Sequence, residues 1–180
     1  SSGAGTQDGL LTKEALPAGT VSYTFQAANA GTYVYQCGTR PELGIEMGLV
    51  GAVIVRPTGF NPLAPTAYGH PDTAYDREYL FLLSDMDPII HGVVDIQGLA
   101  GLASQDYFSK RFANYWFING RTGPDTLLGA NDPLFPSQPY NSAPLMNPGQ
   151  RLLMRVVGAG RDPHTFHHHG NHARVIARNG

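Results

Sequence analysis

The sequence predicts an all-β fold, a Greek-key β-sandwich or barrel made of two partial units. The 180 residues include 22 glycines and 14 prolines, a content that favours many turns joining short strands. Charged residues make up only 14% of the chain, and few lysines and glutamates argue against a helical protein. The third observation is a series of short apolar or alternating segments without a convincing amphipathic helix, which is typical of a sandwich or barrel.

The first predicted unit covers residues 1–57. Its clearest strand is 20–28, where Val21, Tyr23 and Phe25 point to one side and polar residues point to the other. Two further strands are predicted at residues 32–37 and 50–55, the second closed by Arg56 and Pro57.

Residues 58–77 are rich in Pro, Gly, Thr and Ala, which predicts a linker. A second unit follows at 78–180, with an irregular part at 84–112 that can hold a short helix, and a long surface loop at 121–149. Its strands are predicted at residues 78–83, 115–120, 150–157 and 173–178. Asp85, Asp87 and Asp95 are interpreted as loop and turn residues without a pairing partner. Trp116 is interpreted as a core residue.

Composition excludes several classes of partner. The formal net charge is −2 and no basic stripe is present, so nucleic acid is not expected as a partner. No apolar run approaches the ~20 residues that span a bilayer, so no membrane span is expected. The single cysteine excludes an intrachain disulfide. The small polar residues at the start show no signal peptide and suggest a processed or truncated end.

Histidines are concentrated near the end of the chain, where five of the seven fall within nine residues. They are His164, His167, His168, His169 and His172. Neutral imidazole is the usual protein ligand for copper and zinc. In an extended segment His167 and His169 face one side, about 6.6 Å apart at Cα, and can converge on one metal or on two neighbouring metals. The alternative is an exposed or artificial histidine-rich stretch, but the run is flanked by strand-like sequence and followed by a glycine.

The run from His164 to Gly170 reads His-Thr-Phe-His-His-His-Gly. It resembles the His-x-x-His-x-His-Gly motif of multicopper oxidases in every fixed position. The resemblance implies cupredoxin-like units, with His164 as a type 1 copper ligand, His167 as a type 2 ligand and His169 as a type 3 ligand. It also implies a trinuclear copper cluster that reduces dioxygen to water with electrons from a reducing substrate. His172 lies outside the motif and is interpreted as lying beside the ligands or at the surface, with ligation as the alternative.

Residues 31–37 and 47–55 resemble the end of a cupredoxin domain of the same family. Gln36 and Gly38 stand at two positions where the family has histidine, so this unit carries degenerate copper ligands. Cys37 lies between them, where a type 1 copper thiolate is found in related proteins. Two interpretations stay open for Cys37, a copper ligand or a small buried thiol in a strand, and the missing histidines favour the thiol.

By this resemblance, residues 1–57 correspond to the C-terminal part of one cupredoxin-like domain and 78–180 to the N-terminal part of the next. We therefore expect a fragment of an oxidase, whose partners are the remaining parts of that protein or other subunits, dioxygen and an unidentified reductant. The alternative is that the two halves pack together as a permuted unit.

The segment alone is expected to be inactive, and the family implies a periplasmic or extracellular location. A non-catalytic, cupredoxin-like structural or copper-binding protein is the alternative function.

Overall fold

A computed structural model describes residues 6–8, 12–103 and 106–180. In that part of the chain, seven strands and two helices alternate with long irregular segments. The strands are β1 (Thr6–Asp8), β2 (Lys13–Ala15), β3 (Gly31–Gln36), β4 (Val50–Val55), β5 (Arg77–Met86), β6 (Tyr115–Ile118) and β7 (Leu152–Gly158). The helices are α1 (Pro41–Glu46) and α2 (Pro88–Leu102). The predicted strands at 32–37, 50–55, 78–83, 115–120 and 150–157 are therefore confirmed within a few residues.

The strands form small open sheets. β1 and β2 make a short antiparallel pair, and β3 and β4 make a second one that runs from Gly31 opposite Val55 to Gln36 opposite Val50. The third sheet has the order β6-β5-β7. Its central strand β5 is antiparallel to β6 and parallel to β7, so Leu83 lies opposite both Ile118 and Gly158.

The predicted all-β, cupredoxin-like Greek-key sandwich or barrel is wrong. The described residues form a mixed α/β structure with two helices and a parallel strand pair. They form neither a sandwich nor a barrel. Glycine and proline content indicates how often the chain turns, but it does not determine which strands pair. Parallel pairing of β5 with β7 needs a long connection, and here that connection contains α2 and β6.

Two predicted strands, 20–28 and 173–178, are also wrong. Neither forms a strand in the structure, and the side chains of Tyr23, Phe25 and Val175 are exposed. Alternation shows that a segment has one apolar face, but a strand forms only where another strand accepts its backbone hydrogen bonds. Within the described residues, no strand forms a sheet with either segment.

Helix α2 lies in the segment 84–112, which the sequence predicts to be irregular with room for a short helix. Asp87 caps it, since its carboxylate accepts a hydrogen bond of 2.8 Å from the Ile89 amide, and Pro88 stands at the first helical position. The helix is interrupted at Gly98, where φ is +63°. Within the described residues, neither helix is long and apolar enough to cross a membrane.

The parts of the chain are joined by a small apolar core and by buried charges. Ala67, Tyr75 and Leu153 pack together, so the segment predicted as a linker contributes to this core. Next to it, the buried Arg155 of β7 donates to Glu78 of β5 at 2.6 Å and to Thr32 of β3 at 2.7 Å. One guanidinium thus connects the β3–β4 sheet to the β6-β5-β7 sheet.

Glu78 is the shared acceptor of this junction. Arg56, at the end of β4, donates to both of its carboxylate oxygens and also to the hydroxyl of Tyr75 at 2.9 Å. Burial opposes the ionisation of Glu78, but the hydrogen bonds from Arg56 and Arg155 outweigh it and lower the pKa of the carboxyl group. Glu78 is therefore held ionised between two arginines.

Candidate metal centre

His164 lies in the segment that follows β7. The amides of Ala159 and Gly160 both donate to the carbonyl of Leu83 in β5, which returns the chain to the end of that strand. The His164 ring is 11% exposed, and its Nδ1 lies 2.8 Å from the carbonyl oxygen of Asp162. With Nδ1 engaged by a backbone carbonyl, Nε2 is the nitrogen left for another group, and it is buried without a hydrogen-bond partner.

Two side chains enclose the His164 ring. Trp116 of β6 meets it edge to face with ring centroids 4.9 Å apart, and Asp85 of β5 places Oδ2 3.7 Å from Nε2. Trp116 itself is 47% exposed, so its interpretation as a core residue is wrong. Its role in the structure is to cover one side of His164.

Gly160 makes this arrangement sterically feasible. A Cβ at this position would overlap Asp85 Oδ2 and would lie 2.6 Å from His164 Cε1. Asp85 is fully buried, so neither neighbour can move aside easily. A residue without a side chain is therefore needed where the segment passes the carboxylate and the imidazole.

His167 and His169 lie together. Their ring centroids are 4.5 Å apart and the rings meet at 89°, on an exposed and extended part of the chain. This is the same-side arrangement that alternation predicts for an extended segment. His168 and His172 are exposed as well. Between His164 and this pair, Phe166 packs on the buried Phe81 with centroids 5.3 Å apart, which attaches the segment to β5.

The first unit carries the single cysteine of the chain. Cys37 is a free, half-buried cysteine whose amide donates to Leu49 at 3.0 Å, next to Gln36 at the end of β3. A Cβ on Gly44 of α1 would lie 2.5 Å from its Sγ, so the helix backbone passes directly over the thiol. These contacts agree with the interpretation of Cys37 as a packed thiol.

Sequence reasoning missed the charged cluster beside His164. Arg111 donates to Glu46 at 2.6 Å, to Asp162 at 3.1 Å and to Asp85. Burial disfavours the charge of Arg111, but the hydrogen bonds that it donates to Glu46 and Asp85 outweigh this effect and raise the pKa of Arg111. The interpretation of Asp85 as an unpaired loop residue is therefore wrong. No local signal predicts this cluster, because its three carboxylates lie 26, 51 and 65 residues from Arg111 in sequence.

The same cluster fixes the turn that carries His164. The Asp162 amide donates to Asp85 Oδ2 at 3.2 Å, while the Asp162 carbonyl meets His164 Nδ1. Glu46 accepts in addition from the Asp87 amide at 2.7 Å, and Asp87 accepts from the Phe112 amide at 3.0 Å. Asp85 thus holds the imidazole of His164 in two ways. Its carboxylate lies close to Nε2, and it accepts a hydrogen bond from the Asp162 amide, which positions the Asp162 carbonyl next to Nδ1.

Over the described ranges, no group of three or more His, Cys, Asp or Glu side chains is arranged to hold a metal ion. The structure brings His167 and His169 together and places His164 in its own enclosure against Asp85. Comparison with known proteins gives no match, whether with family models, with curated proteins or with solved structures.

Proposed function

We propose that this chain contributes copper ligands to an oxidoreductase of the multicopper oxidase type. The observation that carries the proposal is the histidine run 164–170, with its imidazoles at motif spacing and two of its rings in contact. Copper in such enzymes takes electrons from a reductant and reduces dioxygen to water. The proposal rests on the histidines and not on the fold, because the described residues form neither a sandwich nor a barrel.

The donor set fits copper chemically. Imidazole nitrogen is a preferred copper ligand, and a ligating histidine usually donates its other ring N–H to a carbonyl or carboxylate. His164 has this pattern, since Nδ1 faces the Asp162 carbonyl and Nε2 lacks a partner. His167 and His169 offer two further imidazoles from one extended segment. In this proposal His164 serves the electron-accepting copper, and His167 and His169 serve the cluster that meets dioxygen.

Further ligands come from other parts of the enzyme in this proposal. The reducing substrate and dioxygen are its small-molecule partners, and the rest of the oxidase or other subunits are its protein partners. The corresponding location of the enzyme is the periplasm or the outside of the cell.

A second candidate is a non-catalytic structural or copper-binding protein. It is favoured by Gln36 and Gly38, which stand where the resemblance would require histidine, and by the packing of Cys37 against α1. This candidate predicts simple mononuclear copper binding and no copper-dependent oxygen uptake by any longer form of the protein.

Copper titration of histidine variants tests the proposal. Cu(II) is titrated into the wild-type chain, H167A, H169A and H168A, with calorimetry for affinity and electron spin resonance for nitrogen coupling. We expect H167A and H169A each to weaken copper binding by more than about tenfold, since each loses one of two converging ligands. H168A is the matched control, because it removes an equally exposed imidazole from the same run. Equal losses in all three variants would indicate unspecific binding by a histidine-rich stretch and would contradict the proposal.

Oxygen uptake by a longer form of the protein separates the two candidates. A copper-dependent uptake that disappears in H167A supports the oxidase. Copper binding without any uptake supports the non-catalytic candidate.

A further inference from the structure

Arg121 is a buried charge far in sequence from the histidine run. Its side chain is 1% exposed and follows the turn at the end of β6. Nη1 donates to the carbonyls of Leu128 and Gly129 at 3.0 and 3.2 Å, and Nη2 donates to the carbonyl of Gln138 at 2.7 Å. The guanidinium also lies 5.2 Å from the ring centroid of Phe135. Arg121 therefore organises the segment 121–138 around itself.

Among the described residues, no carboxylate forms an ion pair with Arg121, and its hydrogen bonds go to backbone carbonyls. Carbonyl oxygens satisfy its N–H groups but bring no net negative charge, and its Nε finds no hydrogen-bond partner. The other two deeply buried arginines differ in this respect. Arg111 pairs with three carboxylates, and Arg155 pairs with Glu78. A buried cation without a counter-charge is costly, so a negative group from outside the chain would stabilise it.

Arg121 borders a cavity that such a group could enter. The cavity has a volume of about 320 Å³ and is lined in part by Arg121, Thr122, Asp125, Phe117, Leu134 and Ser137. Two hydroxyl groups can donate hydrogen bonds there, while an aromatic ring and a leucine provide apolar surface. The volume is within the range of small-molecule sites.

We infer that this cavity binds a small organic monocarboxylate, with the guanidinium of Arg121 as its counter-charge. A single cationic group balances a single negative charge. The carboxylate of Asp125 in the lining disfavours anions of higher charge, such as phosphate. Phe117 and Leu134 suit a ligand whose body is apolar, and Thr122 and Ser137 suit the carboxylate oxygens. The inference does not depend on copper.

Benzoate and benzamide are the probes that test it, because they share a shape and differ in charge. Each is titrated into the full 180-residue chain without copper, with binding followed by calorimetry and by the thermal unfolding midpoint. We expect saturable binding of benzoate that raises the midpoint, with binding of benzamide and of inorganic phosphate at least tenfold weaker. Absence of saturable benzoate binding, or equal binding of benzoate and benzamide, would overturn the inference.

Three variants locate the site. S137W fills the cavity from an exposed position without changing Arg121, so it should abolish benzoate binding, whereas the exposed S22W, outside the lining, should bind as wild type does. D125N removes the competing charge and should tighten benzoate binding about five-fold. R121M should lose benzoate binding, although this variant can also disturb the 121–138 segment. Undiminished binding to a folded S137W protein would contradict the assignment, whatever the R121M result.

Discussion

Asp85 Oδ2 lies 3.7 Å from His164 Nε2, in a region where the carboxylate is fully buried and the imidazole is 11% exposed. The contact links β5 to the start of the histidine run. Asp85 also accepts from the Asp162 amide and pairs with Arg111, so its position is determined by three groups at once. Of the three motif histidines, His164 is therefore the one whose ring lies against a buried side chain of β5.

The first prediction concerns Gly160. We expect G160A to be destabilised by about 1–3 kcal/mol, because the new Cβ overlaps Asp85 and crowds His164 in a packed region. Urea unfolding measures this change, and the imidazole resonances of His164 should shift with it. G158A is the matched control: a Cβ there meets nothing within 4 Å, and its effect should stay within about 0.5 kcal/mol. Equal stability of the two variants would show that the segment can move freely.

A second prediction concerns the charge of Asp85. D85N leaves Arg111 with one buried partner fewer and should lower the free energy of unfolding by about 3 kcal/mol. The same change should weaken copper binding at His164, since the orientation of the ring depends on Asp85. D95N, which alters an exposed aspartate of α2, should leave both quantities unchanged. If D85N lowers stability but copper binding is intact, Asp85 has a structural role only.

The third prediction concerns pH. The pKa of Glu78 is lowered from its usual 4.5, so its carboxylate stabilises the fold fully above that value. As the pH falls below 4.5 and through the lowered pKa, this contribution is lost. E78Q should therefore be about 3 kcal/mol less stable than wild type at pH 7, with a difference that shrinks below pH 4.5. Denaturant unfolding at a series of pH values measures this, and the exposed E42Q serves as control. A difference that is independent of pH would contradict the assigned ionic role.

The fourth prediction concerns activity of the 180-residue chain itself. With copper and a reductant, we expect no oxygen consumption beyond that of the H167A/H169A double variant. The reason is that no group of three metal-binding side chains is present in the described ranges, and a multinuclear site needs more donors than the histidine pair. Oxygen uptake that depends on both histidines would show that the chain completes a site without other parts of an enzyme.

Local patterns predicted individual elements better than their assembly. The strands β3 and β4 were predicted from apolar runs ended by turns, and both lie where expected. The sequence allows a short helix within 84–112 but does not give its bounds, although Asp87 and Pro88 form a recognisable helix start. Residues 20–28 alternate as cleanly as any strand, yet remain unpaired in the structure, because pairing depends on a partner that the segment itself does not encode.

The sequence by itself determined the spacing of the histidines, the position of most strands and the side-by-side placement of His167 and His169, since each of these follows from neighbours along the chain. Only the tertiary structure decided that the sheets stay open, that Asp85 faces His164, and that Arg121 is buried without an ion pair to any described carboxylate. The physical reason is distance along the chain. These relationships join residues that are not neighbours along the chain, and their energies depend on burial, which no local pattern contains.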